Sequence, residues 1–183
     1  MTLDTVSKDF LRRMTPTKNN RHEWLGPFCV LNTRYLLVSE PLLFQDKAMV
    51  DQVQELVLFL RLAQALKNRL QMSDRDRALV LAGTYASMLQ MHPVAEFCRK
   101  LILQNNQGHM LRKWPTFAQA IEEPDFATFL KQVRRRFPTE RAEIKLVELG
   151  YECDVHRADY STIDEFIAAV MGVDRQWLNE HFG

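Results

Sequence analysis

From Ser39, with Pro41 just behind it, to about Leu70, nothing in the chain breaks a helix. A serine ahead of a proline reads as a helix start, because the first turn does not need proline's missing N–H and the ring already holds a helical φ. Met49, Val50, Val53, Leu56, Val57, Leu60 and Ala63 recur at helical spacing, and Leu58, Phe59 and Leu62 fill the other sides. A helix that is apolar on nearly every side must be enclosed by other elements. The segment therefore predicts a central helix in a fold that is all-α or nearly so.

The punctuation of the rest supports a bundle of about eight helices. Ser73 is placed to cap the next helix, with Asp74 and Asp76 near its positive end. Along that helix Ala78, Ala82, Gly83, Ala86 and Ser87 make a small-residue face on which a neighbour can come close. Pro93 starts a helix over 93–104, leaving His92 outside it. Thr116 with Gln119 reads as a capping box, and Pro124 opens a helix that runs to Phe137. Pro138 opens another that ends at Gly150, and Thr162 with Glu165 caps the first of two closing helices, 163–171 and 174–182. Leu3, Val6, Phe10 and Met14 mark an N-terminal amphipathic helix, followed by a polar linker over 15–27. Short extended pieces are open at 28–38, where a buried helix fits as well, and at 151–156. The organisation read from this is a helical body over 1–137 and a C-terminal helical hairpin over 138–183, either a module of its own or part of one domain.

Composition removes several function classes. The 6 glycines are scattered singly, so no glycine-rich phosphate loop can be built from them. The 3 cysteines, Cys29, Cys98 and Cys153, suit a reducing compartment better than a disulfide framework. The longest apolar run, Leu56 to Leu60, is far short of the roughly 20 residues that span a bilayer. The chain thus reads as soluble and cytoplasmic, with no membrane partner. Cys153-x-x-His156 is half of a zinc pattern, completed only if the fold brings Cys98 and His92 or His109 to it; no metal site is expected. No nucleophile elbow, papain-like cysteine or HExxH is present. His92 with Glu96, and Glu122-Glu123, read as helix-start residues. No catalytic residue and no cofactor is expected, and the chain is read as a non-enzymatic binding protein.

Charge is uneven beneath a net of +1. Residues 150–183 carry seven acids and two bases, a local −5 that leaves +6 for the rest. The bases are densest at Lys131, Arg134, Arg135, Arg136, Arg141 and Lys145. Within the acidic end, Ala168 precedes Gly172 by four residues, Val173 follows the bend, Asp174 can cap the next helix, and Leu178 and Phe182 face back. That is the layout of a helix-turn-helix, with Arg175, Gln176, Trp177, Asn179 and His181 left projecting. Arg, Gln and Asn are side chains that pair with base edges.

Taken together, "ELGYE" at 148–152 and "IAAVMGVDRQWLNEHFG" at 167–183 resemble the DNA-binding module of the tetracycline-repressor family. The resemblance spans residues 148–183 and implies that Arg175, Gln176, Trp177 and His181 lie on the DNA-facing side of helix 174–182. Arg134, Arg135 and Arg136 would then supply phosphate contacts. In that family the module precedes a helical ligand-binding and dimerising domain, whereas here it follows the helical body. Any tight helical hairpin also uses Ala-x3-Gly-Val-x4-Leu, and a local −5 repels phosphate. Two functions stay open: a DNA-binding regulator using a C-terminal helix-turn-helix, or a helical protein-interaction module without nucleic-acid binding. The corresponding partners are duplex DNA, a protein engaged through the N-terminal amphipathic helix, or a second copy of the chain.

Overall fold

The structure is a computed structural model that describes residues 45–151 and 155–183. The expected N-terminal amphipathic helix, the linker, the 28–38 stretch, the Ser39–Pro41 helix start and residues 152–154 of the 151–156 piece fall outside the described residues. The chain divides into two units, Met1–Leu42 and Leu43–Gly183, and every described helix belongs to the second.

Eight α-helices and two 3₁₀ turns make up the described residues, with no strand among them. They are α1 Gln45–Asn68, α2 Met72–Met88, α3 His92–Asn105, α4 Phe117–Glu122, α5 Pro124–Arg136, α6 Thr139–Glu148, α7 Ile163–Val170 and α8 Arg175–Phe182. The 3₁₀ turns are Met110–Lys113 and Arg157–Asp159. This is the all-α bundle that the helical spacing predicts.

The most enclosed element is α2. Its small residues Ala78, Ala82, Gly83 and Ala86 are buried, and α1 and α3 pack on either side of it. A Cβ at Gly83 would sit 2.5 Å from Cε2 of Phe117, a ring that is itself fully buried. Glycine is thus required there by the close approach of α4. α1 is enclosed from Leu56 to Leu66, but its first turns leave Met49 and Val50 exposed.

Polar side chains tie the C-terminal helices to α1. Thr139 Oγ1 donates to Glu55 Oε1 at 3.0 Å, and Arg61 Nη2 donates to the Val155 carbonyl at 3.2 Å. Gln64 donates to the Val170 carbonyl and accepts from the Tyr151 hydroxyl. Phe166, Ile167, Val170, Leu178 and Ala142 belong to the same buried cluster as the α1–α2 residues, so residues 138–183 share their core with 45–137.

Four helices end in one motif. At Leu70, Gln90, Gly150 and Gly172 the backbone turns left-handed, with φ of 59°, 59°, 61° and 72°. The next amide reaches back to the carbonyl five positions earlier: Gln71 to Leu66, Met91 to Ala86, Tyr151 to Leu146, Val173 to Ala168. This is the Schellman end, which satisfies orphan carbonyls of the last turn. Glycine marks two of these ends in the sequence, whereas Leu70 and Gln90 carry a side chain in a backbone conformation that disfavours one.

Several helix starts differ from expectation. α2 begins at Met72, and no side chain caps it, so Ser73 lies inside the helix rather than ahead of it. The chain enters straight from the Schellman turn, which already sets the direction of that amide end. His92 is the first residue of α3, with Met91 as its cap position, because the second such turn ends one residue earlier than the proline suggests. The Thr116 and Thr162 caps form, accepting from the Gln119 and Glu165 amides at 3.2 Å each.

Two changes at these positions should alter stability in opposite directions. Gly83→Ala should lower stability, because overpacking costs about 1–3 kcal/mol against the ~1 kcal/mol that alanine gains over glycine in a helix. Phe117→Leu in the same chain should recover part of the loss, read as urea midpoints. Leu70→Gly should act the other way. Leu70 is 84% exposed, so little packing is lost, and relief of the left-handed strain should add about 1 kcal/mol.

Candidate functional site

The closing hairpin, α7 and α8, is built residue by residue. Phe166, Ile167, Ala168 and Val170 turn inward from α7. The chain reverses at Gly172, whose amide donates to the Ala169 carbonyl at 2.9 Å. Asp174 then caps α8, its Oδ1 accepting from the Gln176 and Trp177 amides at 2.7 and 3.2 Å. The carboxylate satisfies two orphan donors at the positive end of the helix. On the outward side Tyr160, Glu165, Ala169, Val173 and Asp174 border a shallow depression, too open to enclose a small molecule.

α8 lies on α3. Leu178 is buried, and Trp177 meets Phe97 edge to face with centroids 5.7 Å apart. Phe182 closes on the same ring at 5.5 Å, under the ammonium of Lys100 at 4.9 Å. The residues expected to face DNA therefore divide. Trp177 is half-buried against α3, because its indole covers apolar surface that Phe97 would otherwise expose. His181 is exposed and stacks on Trp177 at 4.5 Å. Gln176 is exposed and donates to Glu180 Oε1 at 2.8 Å. Arg175 is exposed but sits between two acids of α7, 3.6 Å from Asp164 and 3.7 Å from Glu165.

The second group of expected residues lies elsewhere. α5 packs on α2 and α4, while α8 packs on α3 and α7. Arg134, Arg135 and Arg136 are exposed at the C-terminal end of α5, where cations complement the helix dipole. Arg134 also reaches the Tyr85 ring at 6.0 Å. Burial, a hydrogen bond to Glu55 and that carboxylate's charge push the Tyr85 hydroxyl up to about 12, with Arg134 pulling the other way. Among the described residues no hydrogen bond, ion pair or ring contact joins these arginines to α8.

A buried polar cluster between α2 and α3 had no signal in the sequence. Asp76 reads there as a helix-start acid, but only 6% of it is exposed. Its Oδ2 accepts from Asn105 at 2.7 Å, Arg75 Nε stands 3.7 Å from its Oδ1, and Oδ1 has no hydrogen-bond partner among the described residues. Arg75 Nη2 donates to the Leu101 carbonyl at 2.7 Å. Burial raises the Asp76 carboxyl above its ordinary range, with Asn105, Arg75 and His109 opposing. Burial lowers the Arg75 guanidinium, with Asp76 opposing. Cys98, fully buried beside Arg75, is pushed up to about 12 by burial and is an inert thiol. His109 caps the Met110–Lys113 turn: its Nδ1 accepts from the Leu111 amide at 3.3 Å, and its ring meets Phe129 of α5 at 5.6 Å. Burial lowers its pKa below 6.5, with Asp76 opposing. Elsewhere on α3, Glu96 accepts from the Phe117 amide and so caps α4. Among the described residues no three metal-ligating side chains converge, and no helix is long and apolar enough to cross a membrane.

No family model, curated protein or solved structure matches the chain.

The hairpin and the cluster each give a prediction. Trp177→Ala should cost about 1.5–2.5 kcal/mol, below the roughly 3–5 of a fully enclosed Trp. Arg175→Gln should cost less than about 1 kcal/mol, as exposed ion pairs do. Both are read from urea melts. His109 is held neutral by the fold, so its contribution is whole above 6.5, its unfolded value, and is lost as pH falls through its lower folded value. Asp76, raised above 3.8, acts in the opposite sense and contributes most in acid. Between pH 7.5 and 5, on either side of 6.5, the native chain should lose stability relative to His109→Gln, checked by urea midpoints at each pH.

Proposed function

We propose that the protein is a non-enzymatic helical interaction module that binds another protein and does not read duplex DNA. The observation that carries the reading is the state of Arg175. It is the one arginine or lysine of the α7–α8 hairpin, and Asp164 and Glu165 hold it from the preceding helix. Asp174 and Glu180 add further negative charge to the same hairpin. Phosphate contacts supply most non-specific affinity for duplex, and this surface opposes them.

The binding surface in this reading is the α5–α6 edge. Over 131–148 it holds six bases and three acids. Lys131, Arg135, Arg136 and Arg141 are exposed and have no acidic partner among the described residues. On α6, Ile144 and Val147 are 61% and 79% exposed. An exposed apolar pair on the helix that carries Arg141, with further unpaired arginines on α5, suits a partner segment that offers apolar anchors with Asp or Glu around them.

The DNA reading rests on the resemblance of the closing stretch to the tetracycline-repressor module, together with the exposure of Arg134, Arg135 and Arg136. One pair of experiments separates the two. A labelled random duplex, followed by anisotropy at about 50 and 200 mM salt, should show no binding at either. A photo-crosslinking residue at Val147 should join the chain, in cells, to a protein whose contact segment is acidic and apolar. The product should disappear with Ile144→Asp or with Arg135/Arg136→Glu. Duplex affinity that falls by roughly 10³–10⁵ between those salts, and that Arg134/Arg135/Arg136→Ala abolishes, would overturn the reading.

A further inference from the structure

The partner chemistry that suits the α5–α6 edge, apolar anchors with carboxylates around them, is present on the chain itself. It lies at the shallow depression of the α7–α8 hairpin. Tyr160, Ala169 and Val173 line it with half-buried apolar surface, and Glu165 and Asp174 line it with charge. These groups are fixed in place by their own contacts. The Tyr160 ring rests on Phe166 at 6.0 Å, Asp174 holds the Gln176 and Trp177 amides, and Glu165 faces Arg175 at 3.7 Å. Side chains already held lose little freedom on binding, which favours association. Arg175 also lines the depression, but Asp164 and Glu165 share it. Over 157–183 five acids stand against two bases.

The α5–α6 edge is the complement. Over 131–148 six bases stand against three acids, and one of those acids, Glu148, is 3.2 Å from Lys145. Ile144 and Val147, three residues apart on α6, are neighbours on the helix surface, and Arg141 precedes Ile144 by the same step. Among the described residues no ion pair joins the bases of α5 and α6 to the acids of α7 and α8, so within one copy the two charges are not spent on each other.

We propose that the occupant of the α5–α6 edge is a second copy of the chain: Ile144 and Val147 of one copy seat in the α7–α8 depression of the other, and Arg141 and the α5 arginines face the carboxylates of Glu165 and Asp174. This rests on the proposed function, whose binding edge it uses. The contact joins two unlike surfaces, not one patch with itself. Two aliphatic side chains and a few exposed ion pairs are little for a permanent interface, so association is weak and follows concentration and salt.

The test is sedimentation of the purified full chain over a concentration series reaching about 1 mM, the range of weak contacts. At about 0.1 M salt the chain should associate. At about 1 M, where the screening length falls to roughly 3 Å, association should weaken roughly tenfold, the worth of a few exposed ion pairs. Ile144→Asp should remove the contact from one side. Ala169→Arg, which fills the depression and repels the arginines, should remove it from the other, and each variant alone should sediment as a monomer. Mixed, the two should form a dimer and nothing larger, because each keeps the surface that the other has lost. A native chain that stays monomeric throughout at about 0.1 M salt would overturn the proposal, and so would two folded variants that fail to pair when mixed. The proposed function fails separately. A photo-crosslink from Val147 in cells only to a different acidic protein removes the second copy and leaves that function standing, whereas no crosslinked protein at all removes both.

Discussion

The close approach of helices to α2 is the constraint on which the other contacts depend. Ala78, Ala82, Gly83 and Ala86 give that helix almost no side-chain thickness where its neighbours cross it. The void is filled from outside, by Phe117 lying on Gly83, by Phe126 meeting Phe117 edge to face, and by Trp114 meeting Phe126 in the same way. Interiors are packed as densely as organic crystals, so a ring seated this way fixes the position of α4, and α4 fixes α5. The distribution of exposed arginines follows from that seating.

Around this apolar contact, long polar side chains hold the remaining helices at defined heights. Gln64 joins α1 to Tyr151 and to the end of α7; Arg99 donates to the Trp114 carbonyl at 2.6 Å; Glu96 caps α4. Each uses a backbone group that a helix end leaves without an intrahelical partner. The bundle is therefore closed by its own ends, and polar groups sit inside without a catalytic constellation around them. In the Asp76 cluster one buried oxygen, Oδ1, faces Arg75 Nε at 3.7 Å and accepts no hydrogen bond among the described residues.

The two helix pairs differ in how their charges are paired. On α7 and α8 the one arginine is held by acids of the same hairpin. On α5 and α6 the arginines face water, and Ile144 and Val147 are exposed on α6. In the function proposed above, an acidic protein surface is drawn to the second arrangement, and the first serves as packing. The aromatic contact of Trp177 with Phe97 commits part of that indole to packing against α3.

The sequence by itself determined the helical class, most helix boundaries and the caps at Thr116, Thr162 and Asp174. Local side-chain-to-backbone bonds and 3.6-residue periodicity need no knowledge of distant residues. It also determined two of the four left-handed helix ends, because Gly150 and Gly172 announce them. The ends at Leu70 and Gln90 were decided by tertiary structure: packing of α1, α2 and α3 forces the reversal, and ordinary side chains accept the strain. The same holds for the starts at Met72 and His92, which follow from those turns and not from Ser73 or Pro93. Arg175 and Trp177 have the residue types of a DNA reader when only the order of residues is known. Only the fold placed Asp164 and Glu165 against the one and Phe97 against the other, because those partners come from another helix and their distance is not written in the spacing of the chain.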